Sequence, residues 1–137
     1  MGNVVTVSER AGGQFTQDVR TGRHCLYADE PENLGGADIG PSPYEFVLAG
    51  LGACTSITLR MYAARKDWPL EHISVDVSYK MTGFGKDLRS VFIRKITLKG
   101  ELDAAQKKRL LQIADKCPVH KMLQSSTEIR TSLEEQE

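Results

Sequence analysis

Two of the three cysteines in this chain lie in surroundings that suit thiol chemistry. Cys54 lies within the apolar stretch 40–56, GPSPYEFVLAGLGACTS, and Cys117 directly precedes Pro118 in the run CPVHKML. A cysteine followed by proline is typical of a helix N-cap, where the positive end of the helix dipole lowers the pKa of a thiol. Two thiols are sufficient for a redox cycle in which substrate oxidises one to a sulfenic acid and the other condenses with it.

Two other interpretations of the cysteines remain open from the residues alone. Free cysteine is among the most buried residue types, so Cys54 would then be a small apolar side chain of a core helix. In the second interpretation, four side chains would together bind zinc: Cys54, Cys117, His120 and His24. Neither a Cys-x-x-Cys nor a His-x-x-x-His spacing is present, so we predict no metal site. Strand alternation turns Cys25 away from the core, and we expect it to have no role in the chemistry.

The composition limits the classes of function. The 137 residues suit one domain over 1–137, and 40% hydrophobic with 26% charged residues is an ordinary globular mixture. Lys+Arg and Asp+Glu both number 18, so no basic field attracts nucleic acid. The longest apolar run ends at Arg60, and we expect it to be too short to cross a membrane. No signal peptide is visible and cysteines are few, which favours a cytoplasmic protein.

A long helix is predicted to carry Cys54. Residues 42–45, SPYE, fit a capping box with proline at the first helical position, and Pro69 stops the helix after about residue 66. Its first half is apolar on every side, which is typical of a central, buried helix. The apolar residues are Phe46, Val47, Leu48, Leu51 and Ile57. One small sheet covers only one side of such a helix, so we expect a homodimer in which a second copy covers the rest.

The other predicted elements form groups of strands separate from the helices. Three strands, NVVTVSER, GGQFTQDVRTG and RHCLYA, precede a long loop, DEPENLGGADIGPSP. After the long helix come two strands, HISVDVSYK and SVFIRKITLKG, joined by the turn MTGFGKD. An amphipathic helix from Asp103 to about Lys116, a short helix CPVHKML and a final strand STEIRTSLE complete the chain. This order predicts an α+β fold with a largely antiparallel sheet.

The stretches GPSPYEFVLAGLGACTSITLRMYA and ADKCPVHKML resemble the two cysteine motifs of the OsmC/Ohr family, the osmotically inducible and organic hydroperoxide resistance proteins. The GPSPYE and GRH…ADEP segments make the resemblance closer to an OsmC-like branch than to Ohr itself. The resemblance implies an OsmC-like fold, an intertwined homodimer with two active sites at its interface, and thiol-dependent reduction of organic hydroperoxides. It also implies Cys54 as the peroxidatic cysteine, Cys117 as the resolving cysteine, no cofactor, and a small dithiol as reductant.

The chain departs from the family at the glutamate that assists the reactive thiol. The position ten residues before Cys54 is occupied by Tyr44, and Glu45 lies nine residues before it. At about 100° per residue, Glu45 is about 180° around the helix from Cys54, and the capping box already explains this glutamate. Tyr44 as a pocket residue that donates a hydrogen bond, or Asp38 as a substitute carboxylate, are the alternatives.

The cation that would hold the thiolate is predicted at the turn before the third strand. Arg20 and Arg23 flank this turn, a region from which the family supplies its arginine, and we predict Arg23. His24 shares its strand face with Leu26, so it either stabilises the thiolate as an imidazolium or is a core histidine.

The resulting prediction is a peroxidase in which Cys54 attacks the distal oxygen of an organic hydroperoxide and a Cys54–Cys117 disulfide follows. An apolar pocket that includes Leu48 and Leu51, with Tyr44 at its edge, would favour alkyl hydroperoxides over hydrogen peroxide. The alternative is a non-catalytic dimeric module of the same fold that binds a small molecule or a thiol.

Overall fold

The computed structural model describes residues 4–135, which form five strands and three α-helices. The strands are β1 (Thr6–Glu9), β2 (Gln17–Thr21), β3 (His24–Ala28), β4 (Leu70–Thr82) and β5 (Arg89–Gly100). The helices are α1 (Pro43–Arg65), α2 (Ala104–Ala114) and α3 (Pro118–Gln124), and single 3₁₀ turns lie at Glu32–Leu34 and Gly85–Asp87. The chain divides into two compact units, Met1–Ala49 and Gly50–Glu137, with the boundary inside α1. All strand pairings are antiparallel, as predicted, but the strands form two sheets rather than one.

The first unit contains the antiparallel sheet β1-β2-β3 and the loop that follows it. A buried carboxylate organises this loop, because Asp29 is only 2% exposed and is surrounded by donors. Its two oxygens accept hydrogen bonds from the Thr16 hydroxyl (2.8 Å) and from the N–H groups of Glu30 (2.8 Å), Ala37 (3.5 Å) and Ile39 (3.5 Å). The side chain thus supplies the partners that the irregular backbone would otherwise lack.

Replacing Asp29 with asparagine is expected to lower the Tm by several degrees near neutral pH. Burial raises the pKa of Asp29, but the Glu30, Ile39 and Ala37 N–H groups and the Thr16 hydroxyl outweigh it, so the net pKa is lowered. A lowered native pKa stabilises the fold above the unfolded pKa of aspartate, and that stability is lost as pH falls through the native pKa. The deficit of the variant should therefore shrink in acid, as measured by thermal melts across pH. Asp38→Asn, an exposed change in the same loop, is the control, and equal melts for both variants would contradict this role.

The second unit is built on the long hairpin β4–β5. Along β4 the half-buried positions alternate with exposed ones, which confirms the predicted inward face. That face comprises Ile73, Val75, Val77 and Tyr79. The helix α1 passes close over β4, because a Cβ built on Gly52 would lie 3.3 Å from the Val77 Cγ2 atom. Asp103 caps α2 in a reciprocal capping box with Gln106, which confirms the predicted helix start.

The long helix α1 begins at the predicted capping box, in which Glu45 accepts from the Ser42 N–H (2.9 Å) and donates its own N–H to the Ser42 hydroxyl (3.3 Å). Only one face of α1 is buried within the chain. Its residues are Leu51, Thr55, Leu59, Tyr62 and Ala63. The opposite face exposes Ile57 (55%) and Met61 (67%), so one chain covers only one side of the helix, as expected.

The apolar character of α1 also bears on its membrane-spanning capacity. By length and composition alone the helix could cross a bilayer, which corrects the expectation that its apolar run is too short. A globular core helix meets the same criterion, and α1 supplies Leu59, Tyr62 and Ala63 to the main hydrophobic cluster of the second unit. Length and apolar composition therefore do not by themselves indicate a membrane span here.

The predicted final strand is not present in the part of the chain that the structure describes. The helix α3 ends at Gln124, Ser125 is its C-cap, and residues 126–135 are exposed and form neither helix nor strand. A strand requires a neighbour that accepts and donates its backbone hydrogen bonds. The alternation of STEIRTSLE was therefore insufficient evidence for a strand, and this prediction was wrong for the single chain.

Candidate functional site

The fold of the second unit brings Cys54 and Cys117 together. Cys54 lies on α1, and Cys117 is the N-cap of α3 with Pro118 at the first helical position, as the sequence predicts. Cys117 is fully buried and Cys54 is partly exposed. The two thiol groups lie close enough for each to shift the pKa of the other. The structure therefore forms a thiol pair from two segments that are distant in sequence.

The surroundings of the pair affect the two thiols in opposite directions. Burial and the hydrogen bond with Cys117 raise the pKa of Cys54, outweighing the Val119 N–H and the Thr58 hydroxyl. Burial also acts to raise the pKa of Cys117, but the hydrogen bond from Cys54 and the backbone N–H groups of His120 and Val119 lower it overall. When the pair loses one proton, the negative charge is thus favoured on Cys117, with Cys54 as the donor.

A largely buried arginine, Arg94, contacts residues close in sequence to both thiols. Its side chain on β5 is 13% exposed. The guanidinium donates to the Thr55 hydroxyl (3.1 Å), the Ala114 carbonyl (3.3 Å) and the Asp115 carboxylate (3.2 Å). It also lies 3.1 Å from Nδ1 of His120. The Thr55 hydroxyl in turn donates to the Leu51 carbonyl at 2.7 Å and lies 4.0 Å from the Cys117 sulfur. Arg94 therefore connects the wall of the site on α1 with the turn that carries Cys117.

The sequence contained a signal for Arg94 that the prediction did not use. In SVFIRKITLKG, Arg94 shares the inward face of β5 with Phe92, Ile96 and Leu98, and its partner across the hairpin is the inward-facing Val77. A charged residue at a core-facing strand position is rare unless it has buried partners. The alternation thus indicates a buried arginine, although it does not indicate which elements provide its partners.

A cavity of about 550 Å³ opens beside Arg94 and His120. Its wall combines apolar side chains with two arginines and a histidine. The lining residues are Leu51, Arg89, Ser90, Val91, Phe92, Arg94, Ile96, Leu111, His120, Leu123 and Gln124. Its volume and mixed lining are in the range of small-molecule sites in proteins.

A family model described as "OsmC-like protein" matches residues 35–132, which include both cysteines and Arg94. The chain belongs to the OsmC-like protein family. The expected family is therefore confirmed. No curated protein matches the chain in sequence.

Solved structures show the same fold at low sequence identity. The OsmC-like protein of Mycoplasma pneumoniae is 18% identical, with a TM-score of 0.75 over 90% of this chain and 88% of that one. An organic hydroperoxide resistance protein OsmC from Legionella pneumophila is 20% identical, with a TM-score of 0.69 over 90% of each chain. The protein from Elizabethkingia anophelis, named an organic hydroperoxide resistance protein, is 17% identical with a TM-score of 0.69, over 90% and 89%. These similarities confirm the OsmC-like α+β fold.

Three of the predicted residues, Arg23, His24 and Asp38, belong to the first unit, whereas both cysteines belong to the second. Arg23 is exposed on the turn between β2 and β3, and His24 is exposed at the start of β3. Asp38 is exposed with a positive φ of 54°. Roles for Arg23 and His24 in holding the thiolate therefore stay predictions.

The three residues predicted to contact substrate, Tyr44, Leu48 and Leu51, all lie on α1 but differ in exposure. Leu51 is 4% exposed and lines the cavity, Leu48 is half-buried, and Tyr44 is 65% exposed. Glu45 is part of the helix cap. The Ser42 N–H and hydroxyl hold its pKa below the usual value, so it is ionised at neutral pH. Among residues 4–135, no cluster of three or more His, Cys, Asp or Glu side chains is placed to bind a metal ion.

Proposed function

We propose that this OsmC-like protein is a thiol-dependent peroxidase that reduces organic hydroperoxides with Cys54 and Cys117. The observation that carries the proposal is the pair of neighbouring thiols, of which Cys54 is partly exposed and Cys117 is fully buried. Partial exposure lets a peroxide reach Cys54, while burial keeps Cys117 ready to condense with the oxidised product. The names of the Legionella and Elizabethkingia structures support hydroperoxides as the substrate class.

The first step transfers the distal oxygen of the peroxide to Cys54. In the singly ionised pair, the Cys117 thiolate accepts the Cys54 proton as the Cys54 sulfur attacks. The O–O bond breaks and an S–O bond forms, which yields Cys54 sulfenic acid, protonated Cys117 and an alkoxide. The alkoxide then takes a proton from solvent and leaves as an alcohol. The Cys117 thiolate would thus act as the base in place of the family's glutamate, whose position is occupied here by Tyr44.

The second step forms the disulfide. The Cys117 sulfur attacks the sulfenic sulfur, an S–S bond replaces the S–O bond, and the hydroxyl group leaves as water with the Cys117 proton. Two electrons from a dithiol then restore both thiols, so the cycle needs a reductant and no bound cofactor. We propose a small dithiol as this reductant and the cytoplasm as the compartment that keeps it reduced.

A homodimer is part of the proposal, because the exposed apolar face of α1 needs a cover. Exposed Ile57 and Met61 lie one helical turn apart, and Val47 is 44% exposed further up the same helix. Large apolar side chains that a long helix leaves exposed are typical of a protein–protein contact. A second copy of the chain, packed through α1 in a two-fold arrangement, would bury this face on both protomers.

The direct test is a thiol count with intact mass before and after one equivalent of cumene hydroperoxide. We expect the reduced protein to lose two of its three thiols and the mass to fall by two hydrogens. Peptide mapping should then recover a Cys54–Cys117 link, with Cys25 still free. Three unchanged thiols would contradict the peroxidase proposal.

The cavity supports a second candidate, a dimeric module that binds a small molecule without turnover. The observation that favours it is the space of about 550 Å³, whose wall combines apolar side chains with two arginines, a histidine, Ser90 and Gln124. This candidate predicts a ligand-dependent rise in Tm with no change in thiol count. A screen of amphipathic carboxylates by thermal shift, on protein that fails the peroxide test, would support it.

A further inference from the structure

The Arg94 side chain contacts several elements around the thiol pair. One guanidinium contacts three elements: α1 at Thr55, the C-terminal end of α2 at Ala114 and Asp115, and α3 at His120. The planar fork of arginine makes such divergent contacts at once, whereas the ammonium of lysine is a single point. The structure thus shows one side chain joining three elements that meet at the cysteines.

These contacts bracket both thiols in the sequence. Thr55 directly follows Cys54, while Ala114 and Asp115 shortly precede Cys117 and His120 follows it by three residues. Arg94 is therefore bonded to the residue next to one thiol and to both sides of the turn that carries the other.

The energetic weight lies in the buried contacts rather than in the ion pair. The Asp115 side chain is 69% exposed, so solvent screens its pairing with Arg94 and this contact contributes little. The Thr55 hydroxyl is fully buried and the Ala114 carbonyl belongs to a fully buried residue. Hydrogen bonds from a charged donor to such groups are the strong ones. Without Arg94, the Ala114 carbonyl keeps only its bond from the Cys117 N–H, and the Thr55 hydroxyl keeps its bond to the Leu51 carbonyl.

We propose that Arg94 is the positioning residue that holds the Cys117 turn against α1, and that it thereby sets how readily the Cys54–Cys117 disulfide closes. The inference rests on the proposed function in taking these two cysteines as the redox pair. A disulfide forms only within a narrow range of Cα and Cβ separations. A turn held in that range gives Cys117 a high effective concentration at Cys54, and a turn released from α1 lowers it.

The experiment compares Arg94→Met and Arg94→Lys with the wild type in glutathione redox buffers. The reaction consumes one glutathione disulfide, forms the Cys54–Cys117 bond and releases two glutathione thiols, so its equilibrium constant gives the effective concentration of the pair without any peroxide. We expect Arg94→Met to lower this concentration by about tenfold or more, and Arg94→Lys to lie between it and the wild type.

Arg109→Met is the matched control. Arg109 also joins elements of this unit, since it donates to the Tyr62 hydroxyl (3.1 Å) and to Gln112 (3.2 Å), but it contacts neither cysteine segment. Its replacement should lower the Tm and leave the effective concentration unchanged. The same set of proteins is then given one equivalent of cumene hydroperoxide with a sulfenic-acid trap. For each equivalent of hydroperoxide consumed, Arg94→Met should show more trapped sulfenic acid and less disulfide than the wild type and Arg109→Met.

The outcomes separate this inference from the peroxidase proposal. An Arg94→Met protein that melts earlier but keeps the wild-type effective concentration would overturn the positioning role, and Arg94→Lys gives the same decision if the methionine variant does not fold. A tenfold fall in the glutathione buffers, with no reaction of wild type with cumene hydroperoxide, would support the positioning role and overturn the peroxidase.

Discussion

Replacing Cys54 with serine is expected to reduce hydroperoxide turnover by at least about 10³-fold, because the nucleophile that accepts the distal oxygen is removed. Serine keeps the size and the hydrogen-bonding capacity of the side chain, so the fold should melt within a few degrees of the wild type. The measurement is the rate of cumene hydroperoxide consumption with dithiothreitol as the reductant. The alcohol product is quantified separately so that slow chemical reduction by dithiothreitol can be subtracted.

Two matched variants make this result specific. Cys117→Ser should still consume about one equivalent of hydroperoxide, more slowly than the wild type because the Cys117 base of the first step is removed. A sulfenic acid should then be trapped on Cys54, because its partner thiol is absent. Cys25→Ser should turn over like the wild type, since Cys25 lies exposed on β3.

The opposite pattern would reverse the two roles. The lowered pKa of Cys117 makes its sulfur the favoured thiolate in the reduced pair, so direct attack by Cys117 is the chemical alternative. That mechanism predicts a trapped sulfenic acid on Cys117 in the Cys54→Ser protein, with turnover lost in Cys117→Ser. The trapping site therefore decides which sulfur meets the peroxide first.

Much of the fold could be predicted because its signals are local. The Ser42–Glu45 capping box, the Asp103 cap and the alternation of β4 depend on residues within a few positions of each other, and the structure confirms all three. The final strand was wrongly predicted because the alternation over 126–134 describes only a side-chain pattern, whereas a strand requires a neighbouring strand to pair with.

The site was only partly predictable, because its geometry depends on contacts between distant segments. Cys54 and Cys117 could be selected from their local surroundings. Nothing local indicates that Arg94 on β5 donates to Thr55 on α1. Arg23 was chosen from the family pattern, and the structure places it on an exposed turn of the first unit. The inward position of Arg94 was visible in the alternation of β5, and applying that alternation to every charged residue would have identified it.

Replacing Ile57 with glutamate is expected to convert the proposed homodimer into monomers. Ile57 is 55% exposed on the apolar face of α1, opposite the face that holds the core. In a two-fold interface each substitution occurs twice, and each places a carboxylate against an apolar surface without a partner. A loss of about 3 kcal/mol would raise the dissociation constant of the dimer by about 10²-fold. Sedimentation equilibrium over a range of protein concentrations measures the change.

Ala105→Glu is the control, because it introduces the same charge at an exposed position of a different helix, α2. It should leave the dissociation constant unchanged, and far-ultraviolet circular dichroism should show native helix content in both variants. A wild-type protein that sediments as a monomer at micromolar concentration would contradict the dimer itself. An Ile57→Glu protein with wild-type dimer affinity would instead move the interface away from this face of α1, and the exposed Ile57 and Met61 would then need another partner.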